Sequence, residues 1–152
     1  MYLSRADWDS GVAVWWSWGV VSDQDWEHAF ADMRELSEHS ADITFRPCVL
    51  LYLETDLPDA LRRKQLAELA DDPRYNPYIA CVTVDAHLRG VQVAMRWAGE
   101  NPIYDKELFD TVEQGLAWLE RKRGTSLPVL RRLTESVRRI ARRMDAAGAR
   151  KG

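Results

Sequence analysis

The sequence predicts an α/β protein in which helices pack on a mostly parallel or mixed sheet of about four or five strands, followed by an amphipathic helix near the C-terminus. Residues 47–53 and 78–84 are apolar on both alternating faces, which is typical of interior strands covered by helices on each side. The segments between and after these strands have helical periodicity, as expected of the crossover helices that connect parallel strands. The 152 residues correspond to one domain of roughly 100–200 residues with an appendage.

A β-hairpin is predicted at the start of the chain. Residues 2–8 read as a strand, Asp9-Ser10-Gly11 as a turn, and residues 12–20 as a second, strongly β-forming strand. Ser22 is a suitable N-cap for the first helix, because acidic residues follow it in the first turn. The residues that continue at helical spacing are Trp26, Phe30, Met33 and then Leu36 or Ser37.

The second half of the body follows the same alternation. Pro58 is expected at the first position of a second helix with an apolar stripe, and Asp85 is expected to cap a third. A short strand is predicted at residues 103–104. A fourth helix is predicted from about Lys106 to Arg121, because apolar residues recur there every three to four positions.

The charge distribution divides the chain in two. Residues 125–152 carry eight basic and two acidic side chains, hence +6, so that residues 1–124 carry −9 of the total −3. Gly124 to Pro128 reads as the hinge between them. We therefore predict an α/β domain over residues 1–124, and a basic amphipathic helix with a frayed tail over residues 125–152.

The C-terminal helix is the strongest candidate for an interaction element. Its apolar stripe consists of Leu130, Leu133, Val137, Ile140 and Met144. Arginines on the opposite side include Arg131, Arg138 and Arg142. Such a helix docks on its own acidic body, pairs with a protein partner or a second copy, or lies on an anionic membrane surface. Nucleic acid is disfavoured, because the acidic body repels phosphates.

A second candidate site lies in the loops after the central strands, where open α/β sheets place ligands. Its polar lining is predicted to be Thr55, Asp56, Asp85, His87 and Arg89. The aspartates also suit helix capping, which is their common role at helix starts. The sequence contains no recognisable catalytic constellation, phosphate loop or metal-ligand spacing, so we expect no enzyme activity, cofactor or metal.

The remaining features concern cysteines, tryptophans and location. Cys48 and Cys81 lie in aliphatic runs and are expected to be buried, reduced thiols. Trp16 and Trp18 are predicted to share one face of a strand and Trp15 the other, either as core residues or as an exposed interface. The absence of a recognisable signal peptide or membrane span predicts a cytoplasmic protein.

Four segments resemble the STAS-like superfamily, and more closely its SpoIIAA-like proteins. They are residues 19–26, 48–54, 82–90 and 112–119, within a match over about residues 12–119. The resemblance implies a bacterial-type regulatory or binding module. In the anti-sigma-factor antagonists a phosphorylatable Ser or Thr follows a central strand, and Thr55 matches that position, although the Asp-Ser-Ser-Gly pattern is missing.

Two functions are therefore expected. The first is a non-catalytic regulatory or scaffold module that forms a homo-oligomer or binds another protein, mainly through the C-terminal helix. The alternative is a small-molecule or lipid-binding module that uses the basic helix as a peripheral membrane tether.

Overall fold

The computed structural model describes residues 1–98 and 104–149, without the side chains of residues 95–98. The bounds of the strands and helices are β1 Tyr2–Asp7, β2 Val12–Gly19, α1 Asp23–Ser40, β3 Cys48–Thr55, α2 Ala60–Ala70, β4 Tyr78–Val82, α3 Ala86–Ala98, β5 Asp105–Phe109, α4 Val112–Arg123 and α5 Pro128–Ala149. Strands and helices alternate from β2 to α4, with one further strand before them and one further helix after them.

The strands form one mixed sheet in the order β1-β2-β3-β4-β5. β1 and β2 make the predicted antiparallel hairpin, and each later strand pairs in parallel with the strand before it. Because parallel neighbours need a crossover, α1, α2 and α3 connect successive strands. The α/β class and the mixed sheet with packed helices are thus confirmed.

The strand register gives the sheet two different faces. Ala13, Val49, Ile79 and Lys106 are cross-strand partners in one row. The face that they share is covered by the crossover helices, and we call it the crossover face; Met33 of α1 packs there. The opposite face, which we call the terminal face, holds α4 and α5 against residues such as Val12 and Val14.

Side-chain caps fix where two of the crossover helices begin. Ser22 accepts from the backbone N–H of Asp25, whose carboxylate accepts from the backbone N–H of Ser22, so the predicted cap is a full capping box. At α3 the backbone N–H of Leu88 donates to Asp85 Oδ1 over 2.9 Å. Both predicted capping residues are confirmed.

The prediction for α2 was wrong at the start of the helix and holds only in part for its apolar stripe. Asp59 caps the helix, so Pro58 lies one residue before the cap instead of at the first helical position. The predicted apolar stripe reaches the core only in part, because Leu66, Leu69 and Ala70 pack against it but α2 contains no fully buried residue. Its apolar residues are spread around the helix, and Leu61 is 64% exposed.

The prediction was also wrong for residues 106–111. This segment forms β5 and a helix cap instead of the start of a helix, and α4 begins at Val112 after a capping box of Thr111 and Gln114. Pairing with β4 overrides the helical spacing that Phe109 shares with later residues. Of the predicted strand at 103–104, Ile103 lies outside the described residues and Tyr104 directly precedes β5.

The helices of the terminal face pack closely on the sheet. A Cβ atom at Gly115 of α4 would lie 3.1–3.2 Å from side-chain atoms of Leu50, Ala80 and Val82, so α4 makes its closest approach there. Gly124 ends α4 with φ +78°, a conformation that favours glycine. Within the described residues, no helix is long and apolar enough to cross a membrane.

Candidate ligand cavity and the docked terminal helix

A cavity lies on the crossover face, between the sheet and the helices above it. Its empty volume is about 1080 Å³, including space open to solvent. Side chains from all five strands form its floor, and side chains from α1, α2 and α3 form its walls and roof. Most of the lining is apolar, which is typical of a site for a small molecule.

The cavity exists because α2 does not fill the space beneath it. Leu51 and Leu53 belong to the central strand β3 and point to the crossover face, yet both remain partly exposed. From α2, Leu66 and Ala67 reach the cavity, but neither is buried. Apolar side chains at the middle of a sheet normally lose their contact with water, so this surface lacks a cover.

Aromatic side chains form much of the lining. Trp15 and Tyr75 are buried, and Tyr104 meets Tyr75 edge-on with ring centroids 5.2 Å apart. The Tyr2 hydroxyl donates to Asp32 Oδ2 over 2.7 Å. Burial, reinforced by Asp32, holds the pKa of Tyr2 well above its ordinary value of 10, so this hydroxyl stays neutral at physiological pH.

Two polar side chains meet inside the cavity. Lys106 lies on the crossover face, beside its cross-strand partner Ile79. Its Nζ donates to Gln92 Oε1. Gln92, from the middle of α3, is only 8% exposed. By contrast, the lining carboxylates Asp56 and Asp71 belong to exposed residues.

The residues predicted to line a ligand site do not lie together in the structure. Thr55 and Asp56 line the cavity, and Thr55 Oγ1 donates to the backbone carbonyl of Gly19 over 2.6 Å. Asp85 caps α3 and His87 is exposed, while neither lines the cavity.

Arg89 also lies outside the cavity and is engaged elsewhere. Its Nε donates to the backbone carbonyl of Thr83 over 3.0 Å, and its guanidinium pairs with Asp110. The five predicted residues therefore do not converge on one ligand.

The predicted interaction helix docks on its own sheet. Leu130 and Val137 are fully buried against β2 on the terminal face. Leu133 and Ile140 are half-buried, whereas Met144 near the end of α5 is 44% exposed. Most of the apolar stripe is therefore covered within the chain.

Polar contacts also hold α5 in place. Arg131 Nε lies 3.1 Å from Glu120 Oε2, and Arg138 lies 3.2 Å from Glu113, so two predicted arginines pair with α4. Arg142, which is exposed, lines a groove between α4 and α5.

The buried tryptophans of β2 support this docking. Trp18 Nε1 donates to Asp145 Oδ1 of α5 over 2.7 Å. Trp16 stacks on Tyr52 with ring centroids 4.0 Å apart. All three tryptophans of the strand, including Trp15 on the crossover face, are buried within this chain.

Sequence reasoning missed the pair of Gln92 and Lys106. A strand that begins at Asp105 places Lys106 on the crossover face, so the signal depended on recognising β5. Within residues 1–98 and 104–149, no group of three His, Cys, Asp or Glu side chains is arranged to hold a metal ion. No protein-family model matches the sequence, and no curated protein matches it.

Proposed function

We propose that this protein binds an apolar small molecule in the cavity of the crossover face. The observation that supports it is the uncovered surface at Leu51 and Leu53, in the middle of an otherwise packed domain. Each 100 Å² of apolar ligand surface removed from water contributes about 2.5 kcal/mol to binding.

Decan-1-ol is a suitable first probe, because it is apolar and uncharged. Trp15 and Trp26 line the cavity, so binding is followed by tryptophan emission. We expect saturable binding to the full chain. Ala67→Phe, which places a phenyl ring in the cavity, should weaken it about tenfold or more, equivalent to about 1.4 kcal/mol.

Ala60→Phe is the matched control, since Ala60 lies on the same helix but is exposed and outside the lining. It should bind decan-1-ol like the unmodified chain. Circular dichroism establishes that both variants fold. Absence of saturable binding to the unmodified chain, or equal binding by Ala67→Phe, would contradict the proposal.

A second candidate function is assembly through α5, with the protein acting as a regulatory or scaffold module. It is favoured by the outer side of α5, where Arg132, Arg139 and Arg143 form a stripe of exposed side chains. Within the described part of the chain, these three arginines have no ion-pair partner. Residues 1–124 carry −9, so a second copy offers complementary charge.

Light scattering after size-exclusion chromatography tests this candidate. A dimer or larger species at low salt should dissociate at high salt and in the triple variant R132Q/R139Q/R143Q. The control R5Q/R34Q/R121Q removes the same charge from exposed arginines elsewhere. A monomer under all conditions would exclude self-assembly.

We also propose that the chain is a distant member of the STAS-like superfamily. The support is the quoted sequence segments together with the α/β architecture. The ligand proposal does not depend on this relationship.

A further inference from the structure

We infer that the ligand of the cavity is an apolar monocarboxylate, with its carboxylate received by Gln92 and Lys106. The inference rests on the proposed function and specifies the chemical class of the ligand. Its basis is the Gln92 amide, which lines an apolar cavity and whose oxygen already accepts a hydrogen bond from Lys106.

Gln92 presents an unused donor to the cavity. Its Oε1 accepts from Lys106 Nζ, which fixes the orientation of the amide. Its Nε2 then remains, and this group has no hydrogen-bond partner among the residues that the structure describes. Gln92 is only 8% exposed and lines the cavity, so a ligand acceptor can pair with this donor in surroundings that exclude most water.

The charge at this position selects an anionic acceptor. Lys106 is the only cationic side chain among the described residues of the lining, and it adjoins the Gln92 amide. Ammonium and amide N–H groups both donate, so together they suit a carboxylate and reject an ammonium head group. The apolar surroundings strengthen such a contact, because the local dielectric constant is low.

The rest of the cavity suits an elongated apolar tail. From the row of Ile79 and Lys106 to the row of Thr55, the floor extends by six residues along β3. At roughly 3.3 Å per residue, this is about 20 Å. Leu51 and Leu53 lie between these rows, so a chain that starts at Lys106 covers these partly exposed leucines.

The experiment compares decanoate with decan-1-ol, which share a tail and differ in the head group. At neutral pH the carboxylate is ionised. We expect the full chain to bind decanoate about tenfold more tightly than the alcohol, or more. Lys106→Met should abolish this preference and leave alcohol binding unchanged. Gln92→Glu, which replaces the donor with a second carboxylate, should reverse it.

Lys64→Met is the control, since Lys64 is an exposed lysine on the outer side of α2. It should keep the preference for decanoate. The ratio of the two affinities is measured within each variant, so a partial loss of folded protein affects both probes equally. If Lys106→Met fails to fold, Gln92→Glu provides the test instead. Equal binding of both probes by the unmodified chain would overturn the inference but not the cavity. An unchanged preference in both variants would overturn it too. Binding of neither probe would overturn both proposals.

Discussion

We expect Arg123→Met to lower the free energy of unfolding by about 3 kcal/mol. From the last turn of α4, the Arg123 guanidinium donates to the backbone carbonyls of Ser10, Gly11 and Arg46 over 3.1, 2.9 and 3.0 Å. It also lies 4.0 Å from the centre of the Phe45 ring. One side chain thus joins α4 to the hairpin turn and to the segment before β3.

The magnitude follows from these contacts. A hydrogen bond of this kind contributes about 1 kcal/mol net, so three give about 3 kcal/mol. The contact with Phe45 adds about 0.5–1 kcal/mol. Removing Arg123 Nε offsets part of this, because that buried atom has no partner among the described residues. Methionine keeps the apolar stem, so packing changes little. For a chain of this length the loss lowers Tm by about 6–12 °C.

Urea denaturation at neutral pH, followed by tryptophan fluorescence and circular dichroism, measures this loss. Arg121→Met is the matched control, since Arg121 lies on the same turn of α4 but is exposed. It should change stability by less than about 0.5 kcal/mol. If Arg123→Met is no less stable than the control, the contacts made by the guanidinium do not stabilise the fold and the reasoning is refuted.

Three further predictions concern α5, pH and the thiols. Leu130→Ala should lower the free energy of unfolding by about 2–5 kcal/mol in urea denaturation, because Leu130 is fully buried; a loss below about 1 kcal/mol would contradict its docking. The hydrogen bond from Arg131 holds the pKa of Glu120 below its ordinary value of 4.5, so the pair stabilises the fold above that pH and the contribution is lost as the pH falls below it. Urea midpoints at neutral and acidic pH should therefore differ less for Glu120→Gln than for the unmodified chain, and an equal difference would contradict this. Burial raises the pKa of the Cys48 and Cys81 thiols, so a thiol reagent should label them only in urea; rapid labelling of the native protein would show that they are accessible.

The parts of the fold that were predictable carry strong local signals. Ser22 followed by acidic residues marks the start of α1, and Asp85 marks the start of α3. β5 has no such signal, because Asp105, Lys106 and Glu107 are polar and the strand forms by pairing with β4. Contacts between segments that are distant in the sequence make residues 105–109 a strand, and a single sequence does not reveal such contacts.

The cavity was not predictable for a different reason. β3 is apolar on both faces whether or not a helix covers each face completely, so its sequence is the same in a packed and in an open arrangement. The packing of α2 decides between them, and its cavity residues Leu66 and Ala67 are only half-buried. Thr55 and Asp56 were correctly expected near the strand ends, but the inner pair of Gln92 and Lys106 depends on the register of β5.

The docking of α5 on β2 has a consequence for synthesis of the chain. About 110 residues separate Trp18 from Leu130, and translation at about 5–20 residues per second leaves an interval on the order of 10 s. During that interval the aromatic side of the hairpin has no cover, because the helix that shields Trp16 and Trp18 has not yet been made. Nascent or prematurely terminated chains therefore present an aromatic strand to chaperones and proteases, and only chains that include α5 conceal it.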